Sequence, residues 1–345
     1  MLALKVEEYM QALLLRSPGN FKVESIDEPI CGPHETLVRV HSVGVCGSDF
    51  PRMFSKGAHR MPIVCGHEFS GTLVVDDAKA QKQKCTVAPL IPCNSCIQCK
   101  AGHFSRCNNY DYFGSRRNGA FSEFVAVPKS NLVEIPLSLD LRAAAMVDPA
   151  SIALHAIWKI KNFKTGMTAA VVGCGPIGLF AIQWLKILGV SQVYALDIKG
   201  HNLKLAEIAG ADFHYKPHEK EYIKNKVDLV VDAAGNSKSL ETAILMSKPG
   251  ASISLLGIPT SNVQIENKVH QKILRNELSI FGAWNSFGNP FPGKQWFETI
   301  KSLSNGELKW EFMISHELNL KELSDLLNRI KLDADVKYSK ILVRL

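Results

Sequence analysis

The stretch Thr168-Ala-Ala-Val-Val-Gly-Cys-Gly-Pro-Ile-Gly178 decides the fold of the second half of this chain. Thr168 to Val172 reads as a buried strand, Gly173 to Gly178 as a G-x-G-x-x-G turn, and Ile177 to Leu188 as an apolar helix. A second strand, Gln192 to Ile198, carries Asp197 near its end, nineteen residues beyond Gly178. The glycine spacing alone is a weak signal. In the order strand, turn, helix, strand, acid it is the signature of a dinucleotide-binding unit. Gly173 supplies the tight turn, Gly175 lets a pyrophosphate approach the backbone, and Gly178 lets the helix pack closely on the strand. Pro176 and Ile177 complete the expected cofactor-binding turn, where the helix N-terminus faces the phosphates. Asp197 is expected to accept hydrogen bonds from the adenosine ribose. That favours NAD, because a 2′-phosphate there would meet a like charge. The competing reading is a turn that holds no dinucleotide.

Downstream, Val227 to Asp232, Ala251 to Gly257 and Leu278 to Gly282 read as further strands of a doubly wound parallel sheet, with a helix over Ser239 to Met246. Only 35 positions separate Asp197 from Asp232, room for one helix, one strand and a stub over Lys220 to Asn225. Beyond Trp284 the chain runs through Pro290, Pro292 and Gly293 into the amphipathic segment Gln295 to Leu303, predicted to return to the first domain. The uncharged run Ala169 to Leu185 invites a membrane reading. The glycine turn interrupts it, and it falls short of a span of about 20 residues.

Upstream, Thr36 to Val43 and Ala120 to Val127 read as strands of a small, partly closed β-barrel covering about residues 10–150. Within it, Cys93, Cys96, Cys99 and Cys107 place four thiols inside fifteen residues. Four thiolates can fill every position of a tetrahedral zinc, which makes such a site structural. Two disulfides or an iron–sulfur cluster are the alternatives, the latter disfavoured by the seven-residue gap between the last two cysteines. A second set lies in Gly44 to Gly71: Cys46, then His67 and Glu68 side by side. Zinc is the common ion that accepts sulfur, nitrogen and oxygen together. From spacing alone, a core thiol and a satisfied histidine compete with that reading.

The 345 residues suggest two domains, and 46% hydrophobic with 21% charged is the composition of an ordinary globular protein. The formal charge of +7 is mild. Its densest basic stretches, Lys79 to Lys84 and Lys216 to Lys226, are interrupted by other residues, so a solvated face is expected and no nucleic-acid or membrane partner. A small anionic substrate is compatible with the excess. Met1 to Tyr9 carries two acids after a short apolar start, wrong for an export signal, and Met10 is an alternative start. With nine cysteines this points to a reducing, cytoplasmic setting. No internal repeat is evident.

The combination Gly-Val-Cys-Gly-Ser-Asp49, Gly-His-Glu68, the four-cysteine loop and the dinucleotide turn resembles the zinc-dependent medium-chain dehydrogenases, the alcohol and polyol dehydrogenase family. Phe50-Pro-Arg-Met-Phe, Lys56-Gly-Ala-His59, Phe113-Gly-Ser-Arg-Arg-Asn-Gly119 and Lys272-Ile-Leu-Arg-Asn-Glu-Leu278 are similar to members that act on polyol phosphates. The resemblance implies a GroES-like zinc-binding catalytic domain over 1–151, a Rossmann NAD-binding domain over 152–284, a return segment over 285–345, and a cleft between the two domains. By position, Cys46 and His67 are catalytic-zinc ligands, Glu68 a ligand or close neighbour, and Cys93, Cys96, Cys99 and Cys107 hold a structural zinc. Polyol members place a ligand glutamate before a proline, and here Asp148-Pro149 stands there, one methylene shorter. Ser48 is the implied proton relay, since Pro51 replaces the relay histidine of some alcohol dehydrogenases. The implied reaction is zinc-assisted hydride transfer between a secondary alcohol and NAD in a homodimer or homotetramer. The substrate is a small-molecule polyol or polyol phosphate, with Lys56, His59, Arg116 and Arg117 as candidates for the phosphate. An unphosphorylated polyol such as sorbitol or another secondary alcohol, a zinc- and nucleotide-binding protein without turnover, and a module for anionic partners are the alternatives.

Overall fold

In the strand Glu35–Gly44, Val38 and Val40 point into the core and Arg39 points out, the period-2 alternation of a half-buried strand. It is the centre of the first unit's sheet. The computed structural model describes residues 9–74, 83–333 and 335–345, with the backbone alone at 220–222. Most of the basic stretch Lys79 to Lys84 and all of Met1 to Glu8 lie outside the described residues.

The chain divides into two compact units. The first takes the chain up to Asp148 together with Phe287–Lys294 and Ile314–Leu345. The second takes Pro149–Ser286 and Gln295–Met313. In the first, a seven-stranded sheet runs Leu132–Glu134, Lys84–Val87, Glu68–Leu73, Glu35–Gly44, Lys340–Arg344, Ile314–Leu318, with Phe124–Pro128 also paired to Glu35–Gly44. All these pairs are antiparallel except Lys340–Arg344 with Ile314–Leu318. A three-stranded sheet of Asn20–Asp27, Tyr9–Ser17 and Ile63–Val64 shares the same core. The helix Leu320–Leu332 starts at a capping box made by Asn319 and Glu322 and buries Leu320, Leu323 and Leu327 against that core. The predicted strand at Ala120 begins only at Phe124. Ala120 N donates to Gly66 O at 2.9 Å and Phe121 N to Cys65 O at 3.0 Å, so the first half pairs with the loop that leads to His67.

The second unit is a six-stranded, all-parallel sheet in the order Phe213–Tyr215, Gln192–Leu196, Thr168–Val172, Val227–Asp232, Ser247–Leu255, Ser279–Gly282. Numbered along this unit, that order is 3-2-1-4-5-6, with the switch point beside the Thr168 strand, where doubly wound sheets bind ligands. The interval between the second and fourth strands holds the helix Gly200–Ile208, a three-residue strand and the 3-10 turn Pro217–Ile223. The expected return over 285–345 differs in one part. The amphipathic helix Lys294–Ser304 packs almost wholly with the second unit: Trp296 is fully buried and its indole donates to Ser286 Oγ at 2.9 Å, while Ser151 Oγ meets Thr299 Oγ1 at 3.2 Å. Gln183 then bonds Lys309 through both its amide atoms, fixing the segment that follows. Among the described residues no helix is long and apolar enough to cross a membrane.

Removing the Trp296 ring should leave a cavity in the second unit. Trp296→Ala is expected to cost about 3 to 5 kcal/mol in urea unfolding, and Trp296→Phe about 1 kcal/mol for the lost Ser286 bond. A change below about 0.5 kcal/mol in Trp296→Ala would place this helix on a surface.

Candidate active site

Cys46 opens a tight turn in which Asp49 N donates to Cys46 O and Cys46 N donates to Asp49 Oδ2, both at 3.0 Å. This turn draws Asp49 into the interior, where no part of it reaches solvent. Its Oδ1 accepts from Arg52 at 2.6 Å and stands 3.5 Å from His67 Nδ1, an ion-pair separation that is long for a hydrogen bond. With Nδ1 turned to a carboxylate, the ring nitrogen left to a metal is Nε2, the orientation of carboxylate–histidine–metal arrangements. Burial pushes the Asp49 carboxyl up, and His67 and Arg52 outweigh it, so the group stays below its ordinary value. Burial likewise opposes charge on His67, but Asp49 and Cys46 hold it well above the usual histidine range. Asp49 and Arg52 had no role in the sequence reading.

The ligand atoms of Cys46, His67 and Glu68 lie within 4.8 Å of one another. Ser48 Oγ donates to Cys46 Sγ at 3.3 Å. Glu68 forms a buried ion pair with Lys340, whose Nζ also donates to Val45 O at 3.1 Å. Lys340 lies far along the chain and gave no sequence signal. Asp148 is not one of the three convergent ligands. It stands beside them, 2% exposed, with its Oδ1 lacking any partner, and burial first and Glu68 second push its carboxyl up to about 7 against His67 and Lys340. A buried carboxylate oxygen without a donor, next to a thiol and an imidazole, fits a cation. Tyr112, also unforeseen, puts its ring edge-on to His67 at 5.5 Å.

The four-cysteine loop converges as well. Cys93 and Cys99 sulfurs are 4.0 Å apart, as are those of Cys96 and Cys107. That is twice a disulfide bond, and close to the edge of about 3.8 Å for a tetrahedron of zinc–sulfur bonds of about 2.3 Å. Ser95 and the Cys96 N–H pull the Cys93 thiol down to about 5, whereas burial first and the neighbouring sulfurs next push Cys99 up to about 12. Four thiolates cannot share this space without a dication, and the donor set fits zinc.

In the second unit Gly173 has φ 92° and its N donates to Leu196 O at 2.8 Å. A Cβ at Gly178 would overlap Gly173 O, while one at Gly175 would meet nothing within 4 Å, so the two glycines serve packing and open approach respectively. Pro176 starts the helix Pro176–Ile187, with Ile177 as its second residue. Asp197 accepts from Cys174 N and Lys199 N at 2.7 Å and from Asn202 Nδ2 at 3.0 Å, and is 8% exposed. Its carboxylate therefore fixes the glycine turn.

The four residues expected at a phosphate are not together. Lys56 is exposed at the end of the π-helical turn Arg52–Lys56. Arg117 is tied to Glu35 at 2.6 Å and lies 3.9 Å from Asp111. Arg116 meets His59 instead, its terminal nitrogen 3.4 Å from Nε2, and stacks 4.6 Å over the Tyr110 ring. The glycines of this turn do not open space for a ligand: a Cβ at Gly119 would overlap Gly66 O.

Comparison with known proteins agrees with this geometry. Residues 32–137 match the family model of the alcohol dehydrogenase GroES-like domain, and residues 176–304 that of zinc-binding dehydrogenases. Galactitol 1-phosphate 5-dehydrogenase of Escherichia coli (strain K12) is 33% identical over 323 residues, covering 89% of this chain and 92% of that one. The crystal structure of galactitol-1-phosphate dehydrogenase from Escherichia coli superposes with a TM-score of 0.90 at 29% identity, over 97% of this chain and 100% of that one. A zinc-binding dehydrogenase of Sinorhizobium meliloti 1021, bound to NADP, gives 0.88 at 30% identity, over 98% and 100%. The chain belongs to the zinc-dependent medium-chain alcohol and polyol dehydrogenases.

Proposed function

We propose that this enzyme oxidises a secondary alcohol of a polyol phosphate resembling galactitol 1-phosphate, with NAD as hydride acceptor. The observation that carries the reading is the likeness, over 89% of the chain, to an enzyme named for that substrate. In this reading Cys46, His67 and Glu68 hold a catalytic zinc with Asp148 as a further oxygen donor, and Cys93, Cys96, Cys99 and Cys107 hold a structural one. The first ion supplies Lewis-acid polarisation that lowers the pKa of the substrate hydroxyl, and the dinucleotide supplies the hydride acceptor.

The chain's own residues do the rest. Asp49, anchored by Arg52, orients the His67 ring. Lys340 pairs with Glu68 Oε2 and so fixes this carboxylate beside Cys46 and His67. Ser48, bonded to Cys46, takes the hydroxyl proton and passes it to water, because Pro51 cannot. Gly175 and the N-terminus of the helix Pro176–Ile187 receive the pyrophosphate. Three of the roughly four lone-pair positions of Asp197 are taken within the protein, and the one left accepts from the ribose.

A panel of polyols and their phosphates, followed by NADH formation with metal content measured in parallel, tests the substrate. Galactitol 1-phosphate should exceed galactitol and sorbitol in kcat/KM by at least about tenfold, the worth of one charge-assisted hydrogen bond. A preference for the plain polyols would make this a polyol dehydrogenase. No turnover in a fully zinc-loaded protein would leave a binding protein.

Cys46→Ser should abolish turnover with the fold kept, because an open site serves the reaction. Cys99→Ser should instead lose stability, because a closed site serves folding. Equal loss of folding in both variants, read by circular dichroism and metal content, would contradict that division.

Cofactor choice rests on Asp197 and its neighbour Ile198, which is 76% exposed. The double variant Asp197→Ser, Ile198→Arg should lower the ratio of kcat/KM for NAD over NADP by roughly tenfold or more. A parent enzyme that already prefers NADP would sink the assignment.

A further inference from the structure

Arg116 and Arg117 are neighbours in sequence that each lie over an aromatic ring and differ in their charged partners. Arg117 spends its fork on Glu35 and Asp111. Arg116 has no carboxylate partner among the described residues, and its Nε is buried with nothing to bond. The guanidinium carbon sits 4.6 Å over the Tyr110 ring and one terminal nitrogen stands 3.4 Å from His59 Nε2, so the group is held in place without a carboxylate to neutralise it. Stacking also spares the entropy of ordering a free arginine.

Its place relative to the metal donors is fixed within the first unit. Gly119 N donates to Val64 O at 2.7 Å, Asn118 Oδ1 accepts from Val64 N at 3.2 Å, and His59 N donates to Ser115 O at 3.1 Å. The turn that carries Arg116 is thereby clamped to the strand just before His67. A line of rings connects the two: His67 to Tyr112 at 5.5 Å, Tyr112 to Tyr110 at 6.3 Å, and Tyr110 to the guanidinium at 4.6 Å. Burial first, then Arg116 and Arg52, draw His59 below the ordinary histidine value, so two cations lie close enough to oppose its charge. A dianion would offset them.

We propose that Arg116 and His59 form the subsite for the phosphate end of the substrate and that Arg117 is a structural residue outside it. The inference rests on the polyol-phosphate reading for the ester. The subsite itself asks only for a phosphate dianion at a fixed reach from the reacting carbon, and that is how the two readings are separated experimentally.

On the zinc-loaded enzyme, kcat/KM for galactitol 1-phosphate and for galactitol is measured in the parent, R116A, R116K, H59Q and R117A. Binding of inorganic phosphate to each is measured by calorimetry. The ratio of phosphorylated to plain substrate should fall roughly ten- to a hundredfold in R116A, less in R116K and H59Q, and stay within about twofold in R117A, which loses thermal stability instead. Phosphate affinity should fall in the same order. If R116A does not fold, R116K and H59Q carry the comparison. An equal fall of the ratio in R117A, or phosphate binding that is absent in the parent or unchanged in R116A, R116K and H59Q, overturns the subsite. A parent that binds phosphate through Arg116 but turns over only plain polyols keeps the subsite and fails the substrate assignment.

Discussion

The burial of charge around Cys46 is the constraint on which the first unit depends. Asp49, Glu68 and Asp148 are three carboxyl groups with at most 2% exposure, and a thiol lies among them. Against these stand two permanent cations, Arg52 and Lys340, and one imidazole. Removing a carboxylate from water costs several kcal/mol unless it is paired or metal-bound. Arg52 answers Asp49 and Lys340 answers Glu68. What remains is Asp148, whose Oδ1 has no partner among the described residues, beside the Cys46 sulfur and the His67 ring. A cation held by this set would answer that negative charge without a further side chain.

The same physics acts differently at the four cysteines. There every donor is sulfur, the spacing is that of a closed tetrahedron, and the loop between Cys93 and Cys107 contains only short helical turns. Such a loop buries little apolar surface, and a metal bound there would supply its folding energy. At Cys46 the surrounding strands are ordered by their own core, with Val38, Val43, Phe69 and Ile341 all buried. In the proposed reading the four-cysteine site would be made by its metal, whereas the sheet builds the Cys46 site by itself.

Much of this was legible in the sequence wherever the signal is local. The glycine turn, the four-cysteine spacing and the apolar strands of the second unit are short-range patterns set by backbone sterics or ligand geometry, and they fall where they were expected. Asp49 was visible beside Cys46, but nothing in its spacing says that the turn folds it inward under His67. Lys340 meets Glu68 across 272 positions, a contact that only the pairing of Lys340–Arg344 with Glu35–Gly44 creates. The helix Lys294–Ser304 shows why amphipathicity gives a buried face and not its partner: the pattern marks an apolar face, while the unit it enters is set by the contacts of Trp296 with Ser286 and of Thr299 with Ser151. Arg116 and Arg117 mark the limit most plainly, since a residue-level motif treats them alike and the fold separates them by which carboxylates lie within reach.

Asp197 adds a coupling that a motif cannot express. Its carboxylate binds Cys174 N inside the glycine turn, Lys199 N at the start of the next helix and the Asn202 amide within that helix. The acid read as a ribose acceptor is therefore also the brace that holds two phosphate-side elements in register. Its low exposure follows from that bracing, and so does its geometry, because three fixed donors leave the remaining lone pair only one direction. In the proposed cofactor mode a ribose hydroxyl would meet a preorganised acceptor rather than a rotating one, which would save the cost of ordering a side chain on binding. The same brace makes cofactor choice resistant to a single change. Replacing Asp197 alone removes three internal hydrogen bonds, each worth about 1 kcal/mol or more to a charged acceptor, before any new cofactor contact is made. Selection for a different dinucleotide has to rebuild the support of the turn together with its charge.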